Sequence, residues 1–191
     1  MRFEEFQTKF RRPLEENFGA ENVLPFWGNK NARIVHIGQA PSRQGVKNRK
    51  PFSDATGRKL REWYGVSEEI FYDPDNFYFT AVGMYFPGKN KGGGDKQPSM
   101  AFAKKWLVQE LNFLTPKLYI VLGGMAAKFF FPKSQFSELV FENQEIKGKP
   151  VIILPHASPL NIKWFKDHPK FYEFRLREIR GVISSWLQRG R

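Results

Sequence analysis

Four short, almost uninterrupted apolar runs constrain this chain more than any other feature: residues 33–37, 77–82, 118–122 and 151–154. Runs of this length without polar alternation read as strands buried on both faces. Amphipathic stretches separate them. Phe3, Phe6, Phe10, Leu14 and Phe18 recur every three or four positions ahead of Gly19, the spacing of a helix. A second helix is expected over residues 55–64, with Ser53 or Asp54 as N-cap and Gly65 just past its end. A third begins at Ser99 and sets Ala103, Trp106, Leu107, Leu111 and Leu114 on one face before Pro116. Gly123 and Gly124 lead into a short helix through Phe131, residues 137–149 are less regular and hairpin-like, and a last helix runs from about residue 171 to 188. Alternation of this kind implies a parallel sheet covered on both faces. The expected fold is α/β, a single domain over residues 1–191. Its form is a three-layer α/β/α sandwich around a central, mainly parallel four-stranded sheet.

Composition narrows the chemistry. Lysine plus arginine number 31 against 19 acidic residues, a net charge of +12. That excess favours an anionic partner, nucleic acid being the commonest for a soluble domain, and a generally basic surface is the plainer alternative. Cysteine is absent. This excludes disulfides, thiolate-bound zinc, cysteine-ligated iron–sulfur clusters and a cysteine nucleophile. It is compatible with the cytoplasm, the expected location. No run of about 18 apolar residues is present, so no membrane span is expected, and the opening MRFEEFQTKFRR shows no secretion signal. A monomer with no cofactor and no metal is expected.

Two polar turns follow two of the apolar runs: Gly38-Gln39-Ala40-Pro41 and His156-Ala157-Ser158-Pro159-Leu160-Asn161. In an open parallel sheet ligands bind at the carboxyl ends of strands, so the two turns can face one cleft. Neither G-x-G-x-x-G nor a P-loop pattern is present. Phe52, after Pro51 and outside any helix or strand period, is either a stacking platform for a planar ligand or a plug that fastens its loop. Asp54 either caps the following helix or activates a water, and one carboxylate can do both. His156 either ties down its turn or donates a hydrogen bond to an oxygen that gains charge. His36 lies inside the first strand and reads as core. Leu160, on a polar and basic turn, fits a wedge between bases. Lys163 and Lys166 beyond it are placed to meet phosphates. Gly92-Gly93-Gly94, flanked by Lys89, Lys91 and Lys96, either holds phosphate or is simply solvated.

Together GQAPSRQGVKNRKPFSDATGRKL, FYFTAVGMYFPG, WLVQELNFLTPKLYIVLGGMAA and LPHASPLN resemble the motifs of the uracil-DNA glycosylase superfamily, in that family's order. The similarity runs from about residue 33 to 161 and is nearest to the G-x-A-P, iron–sulfur branches. It implies that Gly38, Gln39 and Ala40 line a base pocket and that Phe52 stacks on a flipped base. It also implies that His156 hydrogen-bonds uracil O2 and that Leu160 fills the gap left in the duplex. Expected DNA contacts are Ser42, Arg43 and Lys47 in the first loop and Ser158, Leu160, Asn161 and Lys163 in the last.

The chain departs from the family pattern in three places. Ala40 stands where the best-known members carry a water-activating aspartate, and Asp54, just after the platform aromatic, is the substitute the G-x-A-P branch suggests. Ala81, with Thr80 beside it, replaces a base-reading asparagine, leaving Asn90 in the exit loop as a substitute. The four cluster cysteines are missing. The expected activity is removal of a damaged base from DNA, uracil foremost, by hydrolysis of its N-glycosidic bond, with His156 and Asp54 catalytic. Alternatives are a weak or inactive relative that binds damaged or single-stranded DNA, and an enzyme acting on free nucleosides or nucleotides.

Overall fold

The structure, a computed structural model, describes residues 1–92, 94–158 and 161–188. Helix α1 (Phe3–Phe18) leads through a short 3₁₀ turn to β1 (Ile34–Gly38), then α2 (Arg43–Lys47), α3 (Ala55–Tyr64) and α4 (Glu68–Tyr72). Next come β2 (Phe77–Ala81), α5 (Met100–Glu110), β3 (Leu118–Leu122), α6 (Gly124–Phe130) and α7 (Phe136–Phe141). The chain closes with β4 (Gln144–Ile146), β5 (Lys149–Leu154), α8 (Ile162–Asp167), a π-helical turn (Phe171–Arg175) and α9 (Leu176–Gln188).

The sheet order is β2-β1-β3-β5-β4, parallel except for the β4–β5 pair. The expected four strands therefore become five. The fifth is a three-residue edge strand joined to β5 through Lys147 and Gly148, both with positive φ (53° and 67°). That two-residue connection is the kind that matches strand twist. Gln144-Glu145-Ile146 is polar and short, so it carries no buried-strand signal; of the hairpin-like stretch expected over residues 137–149 only the part from Gln144 on is a hairpin, and Phe136–Phe141 is helix α7.

Strands β1, β2 and β3 are buried along their whole length, as apolar runs between two helical layers must be. On one face α1 and α5 cover β2: Phe3 packs on Tyr78, and Phe6 and Phe10 on Trp106. On the other, α3 and α4 bring Tyr64 and Phe71 against Phe77 and Phe79, and α9 covers α3 through Arg180, which donates to the Trp63 and Glu62 carbonyls. The end of α1 is fastened to the exit of β2 by a stack of Phe18 on Tyr85, ring centroids 3.6 Å apart, and Tyr85 Oη accepts the Ser99 N–H at the start of α5.

Two buried titratable groups lie on opposite faces of the sheet. His36, fully buried, has neither ring nitrogen hydrogen-bonded, and burial pulls its pKa down to about 3. Glu110 is equally buried, and burial pushes it up to about 7 against the lowering pull of hydrogen bonds from Tyr78 Oη and Thr80 Oγ1, both 2.7 Å. Their effects on stability have opposite signs. Below pH 6.5 the unfolded chain takes up a proton that folded His36 refuses, so stability falls with acid until about pH 3. Above pH 4.5 the unfolded chain releases a proton that folded Glu110 keeps, so stability falls with rising pH until about 7. Between 4.5 and 6.5 the two cancel. Glu110→Gln removes one of them. Urea unfolding at the two ends of that window should show the variant gaining, relative to wild type, about 1.4 kcal/mol per pH unit as pH rises. A parallel pH profile for the two proteins would mean that Glu110 ionises normally in the fold.

Candidate active site

The carboxyl ends of β1 and β2 open into a cavity of about 460 Å³. Gly38, Gln39 and Ala40 form its floor with the β2 end at Thr80 and Ala81, Phe52 and Asp54 come from the loop before α3, and His156 and Ser158 from the turn after β5. The two polar turns thus meet in one cleft. A larger depression of about 640 Å³ adjoins it at Ser158, with Arg58, Lys59, Lys166 and Tyr172 in its walls. The carboxylate and imidazole converge in the smaller cavity, and the larger one is a basic, partly aromatic annex.

Asp54 is the N-cap of α3, and its carboxylate serves two elements at once. Oδ1 accepts the Gly57 N–H at 3.3 Å, and Oδ2 accepts the Ser42 hydroxyl proton at 2.7 Å. Ser42 Oγ in turn accepts the Gly45 N–H at 3.1 Å and caps α2. Capping and lining the cavity are therefore not alternatives for this residue. The small helix α2 replaces part of what reads in sequence as a continuous loop.

Phe52 holds a strained backbone, φ 49°, in a region that bulky side chains avoid. Two contacts hold it there. Tyr72 Oη shares its one proton between the Pro51 and Phe52 carbonyls, 2.9 and 3.0 Å away, and Gly57 lies so close that only a residue without Cβ fits. The ring meets His36 edge-on at 4.7 Å and leans on Phe79 and Phe71. It is both a plug on the core and a wall of the cavity.

His156 sits on a turn fixed by Asn161, whose Nδ2 donates to the His156 carbonyl at 3.1 Å. The Ser158 N–H donates to Nδ1 at 3.1 Å. An Nδ1 that accepts leaves the ring proton of the neutral imidazole on Nε2. His156 keeps part of its surface exposed, yet the protein packed around its ring desolvates it enough to lower its pKa, and the charges of Asp54 and Asp95 oppose that shift. The result is a neutral imidazole at pH 7 with a donor to spare.

The other expected residues separate into groups. Thr80 turns its hydroxyl to Glu110, away from the cavity, so it offers the cavity no free donor. Ala81 lines the wall without a polar group. Asn90 does not line the cavity, and its amide donates to the Asp95 carbonyl at 3.3 Å. Arg43 and Lys47 are exposed on α2, and Lys163 pairs with Asp167 at 2.6 Å on α8. Leu160 lies outside the described residues, as do Pro159 and Gly93. Sequence reasoning missed Asp95 and undervalued Lys89, which line the mouth together.

With this geometry in view, the sequence model of the uracil DNA glycosylase superfamily matches residues 25–180, most of the chain and every residue lining the cavity except Leu24. The chain belongs to that superfamily. It is 24% identical over 166 residues to a type-4 uracil-DNA glycosylase of Sulfurisphaera tokodaii, covering 83% of this chain and 74% of the relative. A type-4 uracil-DNA glycosylase of Archaeoglobus fulgidus is 32% identical over 130 residues, 67% of this chain and 61% of the relative. A type-5 uracil-DNA glycosylase of Pyrobaculum aerophilum is 25% identical over 154 residues, covering 73% and 67%. The iron–sulfur cluster that the superfamily resemblance attaches to some branches does not fit this member. The sequence has no cysteine, and among the described residues no three His, Asp or Glu side chains are grouped to hold a metal.

Proposed function

We propose that this chain is a DNA base-excision glycosylase that takes a damaged base, uracil foremost, out of the helix and hydrolyses its N-glycosidic bond. The observation that carries the proposal is His156, whose Nδ1 accepts the Ser158 N–H in the cavity that Asp54 and Phe52 also line. A base inside a duplex is out of reach, so it is flipped at a cost of a few kcal/mol, and a stacking ring offsets part of that cost. Phe52 is the proposed platform. As the bond between C1′ and the base nitrogen breaks, its electron pair moves onto the base and positive charge develops on the sugar. His156 Nε2–H donates to the base carbonyl where negative charge accumulates. Asp54 orients a water toward C1′, offsets the sugar's charge and accepts the proton that the water loses. Asp54 then releases that proton through solvent to the departing base anion, and the products are an abasic site and the neutral free base.

The backbone at Gly38, Gln39 and Ala40 is proposed to border the base, with Arg43, Lys47, Ser158, Asn161 and Lys163 meeting the strand on either side. The basic annex at Arg58, Lys59 and Lys166 extends that path. Leu160 keeps its expected role as the wedge. His156, Asp54 and Phe52 meet in one cavity within a single copy, which supports a monomer as the proposed working unit.

The test is incubation with uracil-containing oligonucleotides, single- and double-stranded, under enzyme excess, followed by alkaline cleavage of abasic sites. Strand scission at the uracil is expected. Ala40, which brings no carboxylate to the floor, favours a second reading, an inactive relative that only binds. Salt-dependent binding without scission would establish that reading instead.

A further inference from the structure

A flipped base is identified by hydrogen bonds to its Watson–Crick edge. Most polar side chains around the cavity are already committed. Thr80 is bonded to Glu110, Ser42 and Asp54 to each other, and His156 Nδ1 accepts the Ser158 N–H. With the Thr80 hydroxyl turned to Glu110, the other β2 residues at the cavity, Phe79 and Ala81, bring no polar side chain. Across the mouth, the loop after β2 closes on itself. Lys89 and Asp95 form an antiparallel bridge, the Asn90 N–H donates to the Gly94 carbonyl at 2.7 Å and the Lys96 N–H to the Gly88 carbonyl at 2.9 Å. This closure turns two charged side chains toward the cavity. Lys89 Nζ lies 2.7 Å from Asp95 Oδ1, and both residues line the same cavity as Phe52 and His156. Asp95 is close enough for its charge to act on His156. The two side chains keep 52% and 38% of their surface exposed, so they are accessible to an incoming ligand.

A paired ammonium and carboxylate present one donor and one acceptor side by side. The complementary edge is a ring carbonyl oxygen next to a ring N–H, the lactam edge of uracil, hypoxanthine or xanthine. Cytosine and adenine carry an amino donor next to a bare ring nitrogen, the reverse pattern. Thymine and guanine share the lactam edge, so the pair separates a deaminated base from its amino parent and leaves those two to other contacts. Resting on the glycosylase reading above, we propose that Lys89 and Asp95 are the base-edge reader of this site, Lys89 donating to the carbonyl oxygen and Asp95 accepting from the adjacent N–H.

The experiment compares wild type, Lys89→Met, Asp95→Ala and the exchanged double variant Lys89→Asp/Asp95→Lys. The exchange restores the ion pair with donor and acceptor reversed. Single-turnover release of uracil should fall about 10- to 100-fold in each variant, the exchange included. Affinity for a duplex carrying an abasic-site analogue, which puts no base in the cavity, should stay within twofold of wild type for Asp95→Ala and the exchange. A second arm needs no catalysis: wild type should bind a deoxyuridine duplex more tightly than the matched deoxycytidine duplex, and the exchange should abolish or invert that preference. If the exchange restores wild-type uracil release, the pair is only a staple for the loop. If Lys89→Met weakens abasic-analogue binding as much as it slows release, Lys89 is a phosphate contact; either result overturns the proposal. If wild type cuts no base yet shows the binding preference and loses it on exchange, the reader stands and the hydrolytic reading falls.

Discussion

His156→Ala is expected to slow single-turnover release of uracil about 10²- to 10³-fold, the usual cost of removing one donor to a developing negative charge. Affinity for uracil-containing duplex should change little, because the charge that His156 meets is small before the bond stretches. The tautomer makes the effect specific. Nδ1 is held as an acceptor by the Ser158 N–H, so the proton sits on Nε2 without any need to charge the ring. Partial desolvation of the ring at the cavity wall lowers its pKa, and the charges of Asp54 and Asp95 only partly offset this. The donor is therefore a neutral imidazole at pH 7. His156→Gln, which can still donate through its amide, should recover part of the loss. Quantifying abasic sites at enzyme excess over the first minutes measures the step directly. A wild-type rate in His156→Ala would assign stabilisation of the departing base to another group.

How much of this was legible in the sequence follows from how local each signal is. The limits of α3 were visible because both ends are written in single residues: Asp54 caps it, and Gly65 ends it in the left-handed conformation at φ 67°. Strands β1, β2, β3 and β5 were visible because burial leaves a continuous apolar run in each. Helices α2, α7 and α8 were not, since five or six residues bury too little to impose a period. The last helix shows the same limit from another side. Its first turn is a π turn over Phe171–Arg175, which periodicity merges with α9. In the site, Gly38 and His156 could be read because strand ends place them wherever the sheet is parallel, and Asp54 because it caps α3. Asp95 could not. Its inward position depends on the loop bridging back to Lys89, and nothing in a run of lysines and glycines says which charge turns inward.

Gly57→Ala is expected to cost about 10²-fold or more in base release, although Gly57 contributes no functional group. A Cβ at this position would lie 1.6 Å from the Phe52 carbonyl oxygen and 2.9 Å from its Cβ, so the backbone at residue 52 must move. That backbone is the one Tyr72 Oη holds at its unusual φ. Its displacement carries the Phe52 ring with it and strains Asp54, whose Oδ1 accepts the Gly57 N–H. One methyl group thus shifts both the platform and the carboxylate, and displacements near 1 Å in such groups typically cost about 10²-fold. Tyr72→Phe tests the same clamp without added bulk; it should lower stability by only about 1 kcal/mol and slow release more mildly. Gly181→Ala on α9, where a Cβ meets nothing within 4 Å, is the control for adding a methyl to a glycine and should retain full rate. The rates belong beside near-ultraviolet circular dichroism, which separates a displaced aromatic platform from loss of the fold. If folded Gly57→Ala releases uracil at the wild-type rate, the position that Phe52 holds in this structure is not the one catalysis requires.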